Sequence, residues 1–196
     1  KRRRNYPAAL KEFQEVLKRF PEGELADDAL HLSAVCALEQ QDLKLAQELI
    51  AKFTGEFPQS KLLWSQELLR GRLFLLEKNP EAARTQFRRV LVESNSELTK
   101  GWSRYYIAYS FYTDKDYKQA LQMSEPLAEN LEKLPKERRH DLAGIYLLQG
   151  ACLLELAKAN GDRTERLRQL EQAESNASKY LEMLPSGEQV QRAWGL

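Results

Sequence analysis

Histidines, cysteines and paired carboxylates are the residues that could do covalent or metal chemistry here, and their spacing argues against it. His31 and His140 fall on different predicted helices, with no cysteine or carboxylate at metal-site spacing. His140 follows Arg138-Arg139 at an exposed helix start and reads as a surface residue. Cys36 and Cys152 lie on apolar helix faces far apart in the chain, so they read as small core residues rather than as a bridge. There is no glycine-rich phosphate loop, nucleophile elbow or HExxH. The acidic residues are scattered over polar faces, where they pair with Lys and Arg one helical turn away. We therefore expect no catalytic residue, cofactor or metal, and a chain that is not an enzyme.

The chemistry that the spacing does support is recognition. Trp102, Tyr105, Tyr109 and Tyr112 recur at intervals of three, four and three, which puts four rings on one stripe of one helix. Such rings supply large contact area with a polar tip. The stripe could instead be core. Ile107, Ala108 and Phe111 already provide an inward face on the same helix, which favours exposure. On that reading Tyr105→Ala should shift stability by less than about 1 kcal/mol while weakening binding.

The elements that position these residues repeat. Asn5, Asp42, Asn79 and Asp116 stand 37 residues apart, and each precedes an alanine by four: Ala9, Ala46, Ala83 and Ala120. Asn and Asp cap helix N-termini by accepting backbone N–H groups that the first turn leaves unpaired. Ala34, Gly71 and Ala108 keep the same interval and allow close helix approach. Apolar residues at helical spacing flank the short turns Gln40-Gln41-Asp42, Lys78-Asn79 and Lys115-Asp116, so the unit is a helix hairpin. Pro21 and Pro58 close second helices. Stacked hairpins of this kind form solenoids with extended binding surfaces.

The rhythm changes late. After Ala120 the next matching alanine is Ala173, 53 residues on, with Gly150 as its partner on the preceding helix. This predicts a longer last hairpin with its tip at Asn160-Gly161-Asp162. Pro126, inside a second helix, predicts a kink or break. The chain opens on the second helix of a unit, which reads as a fragment of a longer protein. The expected organisation is one array over 1–196: a second helix at 5–21, repeats at 24–58, 60–95 and 97–134, an elongated hairpin at 136–185, and the start of a further helix at 187–196.

Composition narrows the partners. Lys plus Arg total 30 against 29 acidic residues, a balance that gives no reason to expect nucleic acid. The longest apolar run, Leu142 to Ala157, is interrupted by Gln149 and Glu155, so it reads as a buried core helix rather than a membrane span.

These residues resemble the tetratricopeptide repeat, a hairpin with a small residue in its first helix and Ala, a large apolar residue and a closing Pro in its second. Ala34, Ala46, Ile50, Phe53 and Pro58 make the fullest match, and Asp116-Tyr117-Lys118-Gln119-Ala120 is close to the family's commonest turn. The resemblance implies an all-α fold, a right-handed α-α superhelix of antiparallel hairpins. It implies a concave groove lined by first helices, here with Trp102, Tyr105, Tyr109, Tyr112, Leu68, Arg72, His31 and Val35, which would bind a peptide or a partner protein. The chaperone-type clamp on a C-terminal carboxylate needs Lys and Asn at positions that here carry His31, Val35, Leu68, Arg72, Tyr105 and Tyr109, so that mode is not implied.

The period of 37 exceeds the family's usual 34. Together with the linker after Pro21, it is similar to bacterial extracytoplasmic members such as those of barrel assembly and the Tol–Pal system. That likeness implies a scaffold in an envelope assembly, periplasmic or associated with the outer membrane. The alternative is a helical regulatory or accessory domain of a larger protein whose catalytic domain lies elsewhere.

Overall fold

The computed structural model describes residues 5–131 and 136–183. Their regular structure is entirely helical: α1 Tyr6–Arg19, α2 Ala26–Glu39, α3 Leu43–Glu56, α4 Leu63–Leu76, α5 Pro80–Glu93, α6 Glu97–Thr113, α7 Tyr117–Leu131, α8 Lys136–Leu142, α9 Gly144–Ala159 and α10 Arg163–Met183. No strand occurs among the described residues. The chain divides into two compact units, Lys1–Lys100 and Gly101–Leu196. The expected further helix at 187–196 and the basic opening at 1–4 lie outside the described residues.

The repeat is written in the caps. The side chains of Asn5, Asp42, Asn79 and Asp116 accept from the backbone N–H groups of Ala8, Leu45, Ala82 and Gln119 at 3.1–3.2 Å. The turns before three of these caps also repeat, in a way the residue types do not announce. Gln41, Lys78 and Lys115 adopt φ of 58°, 59° and 63°. In each turn the following N–H reaches back to close the helix: Asp42 to the Ala37 carbonyl (3.0 Å), Asn79 to Phe74 (2.8 Å) and Asp116 to Phe111 (2.9 Å). This is a left-handed helix stop, usually made by glycine, here carried by residues with a Cβ.

Within the first unit α1 to α5 pack as sequential neighbours, and α2 also touches α4. Ala34, Ala46 and Ala83 are fully buried. At Gly71 an added Cβ would lie 2.3 Å from Cε1 of Phe87, so glycine is what lets α4 and α5 meet. Within the second unit α9 packs against α7, α8 and α10. Ala108, Ala120, Leu127, Leu131, Ile145, Tyr146 and Cys152 form its core. The last hairpin turns at residues 160–162, and Gly150 faces the Ala173 carbonyl, 3.5 Å from an added Cβ. α10 is 21 residues long, against 14 for each of α1 to α5.

One expectation needs correction. Pro126 does not break α7, which runs on to Leu131. Leu127 and Leu131, 3% and 0% exposed, hold the C-terminal turn to the core and offset the one lost backbone bond. Arg139–Ala159 contains an 18-residue window that is apolar enough to cross a membrane by length and composition alone. Just over half of that window (56%) is buried inside the protein. Its interrupting Gln149 donates to the Ser124 hydroxyl at 2.9 Å, a pairing suited to a core helix.

Candidate protein-interaction surface

The α6 stripe is a continuous run of rings. Trp102 meets Tyr105 edge-on at 5.7 Å, Tyr105 stacks on Tyr109 at 6.1 Å, and Tyr109 stacks on Tyr112 at 6.3 Å. The four rings are half-buried and lean on the core of the second unit. Their helix explains the arrangement. Ala108 and Gly101 occupy its inward line, with an added Cβ at Gly101 only 2.5 Å from Leu142, so the larger residues turn aside from that line. Gly144, at the start of α9, leaves room for the Tyr105 ring, whose Cε2 would sit 3.7 Å from an added Cβ.

Two further rings extend the run. Tyr106 stacks near Trp102 at 5.9 Å, and Tyr117 of α7 meets Tyr112 at 5.5 Å. Residue spacing along one helix could flag neither. Tyr117 comes from the next helix, and Tyr106 lies off the stripe. Burial raises the Tyr112 pKa above its ordinary value, helped by the charge of Glu155, so this hydroxyl keeps its proton as a donor at neutral pH. The ring contacts raise the cost expected for Tyr105→Ala. Tyr105 contacts three rings, and each such pair contributes roughly 0.5–1.5 kcal/mol, so truncation costs about 2 kcal/mol.

The other four expected residues lie in the first unit, on α2 and α4. His31 is half-buried, and its Nδ1–H donates to Gln66 Oε1 at 2.7 Å, while its ring meets Phe53 edge-on at 6.3 Å. Burial lowers its pKa below 6.5 against the opposing pull of the Gln66 bond, Asp28 and Asp27. Gln66 is fully buried, and its Nε2 has no hydrogen-bond partner. Arg72 donates from Nη2 to Glu39 Oε1 at 2.8 Å, a second tie between α4 and α2. Val35 packs half-buried against the core. Leu68 is only 8% exposed. With α2, α3 and α5 all against α4, it is a packing residue and offers little surface to a ligand.

Neither cysteine is poised for reaction. Both are buried, and burial pushes the Cys152 thiol up to about 12. No group of three His, Cys, Asp or Glu among the described residues could hold a metal ion.

Residues 28–60, which run through α2 and α3 and include the capped Asp42 turn, match the family model of the tetratricopeptide repeat. The crystal structure of MamA is similar in fold, with a TM-score of 0.54 and 13% sequence identity over 91% of this chain and 92% of that one. At that identity the likeness concerns the fold alone. No curated protein matches the chain in sequence. The matched repeat is the one in which Ala34, Ala46, Ile50 and Phe53 are almost wholly buried, so the family's small and large positions do here the packing they are named for.

Proposed function

We propose that this tetratricopeptide-repeat chain is a non-catalytic scaffold that holds an extended peptide or a partner protein along the α6 stripe. The observation that carries the reading is the run of four half-buried rings, Trp102, Tyr105, Tyr109 and Tyr112, on one side of one helix. Half-buried rings already held in place lose little conformational freedom on binding, so contact area converts to affinity at low entropic cost. An envelope assembly is the setting in which we place this reading.

The test is capture of partners by the intact chain, compared with Tyr109→Ala and Tyr109→Phe. The phenylalanine variant keeps the ring and controls for folding. Loss of a captured protein with alanine and its retention with phenylalanine supports the reading. Unchanged capture by a folded alanine variant sinks it. Activity found only in a longer chain with a catalytic domain would favour the regulatory-domain alternative.

A further inference from the structure

The last hairpin leaves open an apolar groove whose counterpart in the first unit is closed. Ala34, Leu38, Ala46, Ile50 and Phe53 of α2 and α3 are at most 2% exposed, in one core cluster with Leu69 and Leu73 of α4. Gly150, Leu154, Ala173, Ala177 and Tyr180 repeat the same spacings on α9 and α10. With Leu147 and Leu181 they line a groove of about 180 Å³. Ala177 is exposed, and Leu154 and Leu181 are 44% and 42% exposed. What differs is the cover. In the first unit α4 follows α3 and seats itself on both α2 and α3, whereas the packing of α10 among the described residues is against α9 and α8.

The chain continues from the rim of this groove. α10 ends at Met183, beside the groove residue Leu181, and residues 184–196 follow. Ser186 stands three residues after Met183, as Ser96 stands three after Glu93 at the end of α5. The Ser96 hydroxyl accepts from the Thr99 N–H at 3.2 Å where α6 begins. Ser186 has Gln189 three residues on, the capping-box pairing that signals a helix start at Gly187. Val190, Ala193 and Trp194 then recur at three and four residues, an apolar stripe of helical spacing.

We infer that residues 187–196 form a helix that lies antiparallel to α10 in the α9–α10 groove, with Trp194 over Ala177. The register follows from the connection. Trp194 stands about 10 Å along the new helix from its start, and Ala177 about 9 Å back from the end of α10, so the two come level. Val190 comes level with Tyr180 in the same way. Ala177 takes the position that Ile50 fills in the first hairpin, and the smaller side chain leaves the space. A cavity of about 150 Å³ admits benzene, so a groove of about 180 Å³ suits an indole ring. The short tether holds the segment beside the groove at roughly millimolar effective concentration, which favours it over a second copy of the chain. The groove shares no residue with the α6 stripe and is filled whatever that stripe binds.

The test is fluorine NMR of the full chain labelled with 5-fluorotryptophan. Trp64, Trp102 and Trp194 give three signals, assigned by W64F, W102F and W194F. The Trp194 signal should stand away from its position in the urea-unfolded chain and should not move on serial dilution. Ala177→Glu sets a charge in the groove at an exposed site, in a residue that favours helix, and should bring the signal to the unfolded position. Leu154→Lys, also at an exposed site, should do the same from the α9 side. Unchanged helical circular dichroism shows that these substitutions leave the fold intact. A Trp194 signal at the unfolded position in the wild type overturns the inference, and so does one that both groove variants leave in place. A displaced signal that returns to the unfolded position on dilution gives the groove to a second copy and overturns it as well.

Discussion

Glycine-to-alanine substitution at two equivalent helix positions should move stability in opposite directions. At Gly71 the new Cβ would sit 2.3, 2.6 and 2.8 Å from Cε1, Cδ1 and Cζ of Phe87. Ordinary contact needs roughly 3.5–4 Å, so the ring must move by more than 1 Å. Phe87 is fully buried and has little room to yield. Overpacking of this kind costs about 1–3 kcal/mol, partly offset by alanine's helix preference of about 1 kcal/mol. The net expectation is a loss of up to about 2 kcal/mol. At Gly150 the new Cβ meets the Ala173 carbonyl at 3.5 Å, an ordinary contact, so the preference survives as a gain of up to about 1 kcal/mol.

Urea denaturation followed by helical circular dichroism measures both, provided the slope stays constant so that midpoints report stability. G71A/F87L trims the obstructing ring and should be less destabilised than the sum of its single changes. Equal gains from G71A and G150A would refute the claim that Gly71 is required by the Phe87 contact.

Asp116→Ala removes the bond accepted from Gln119 N–H and should cost about 1 kcal/mol in the same assay. Lys78→Gly relieves a Cβ at φ 59° and should stabilise by about 0.5–1 kcal/mol, whereas a loss would mean that Lys78 makes a contact worth more than the strain. His31 should give the first unit a pH response. Its folded pKa lies below 6.5, so the unfolded chain takes up the proton first as pH falls. The stability owed to the neutral ring is complete above about 6.5 and declines as pH drops towards the lowered folded value. Urea midpoints at several pH values should show this decline, and His31→Gln should flatten it. Tyr105→Ala should cost about 2 kcal/mol and Tyr105→Phe much less, a difference that calorimetry can resolve.

The residue string alone determined the local parts of this protein. Asn5, Asp42, Asn79 and Asp116 announced helix starts because a cap bond is made within three residues of its donor. Ala34, Ala46, Ala83 and Gly71 announced close packing because small residues at helical spacing have few other uses. The left-handed stops at Gln41, Lys78 and Lys115 stayed hidden, since no glycine marks them. Tertiary structure decided which apolar residues remain open. Leu68 and Trp102 look alike as members of first-helix stripes, yet Leu68 is closed over by the helices around α4, and Trp102 stays half-open beside Tyr105 and Tyr106. Exposure is a property of what distant helices cover, and a residue's own neighbours in sequence carry no record of that.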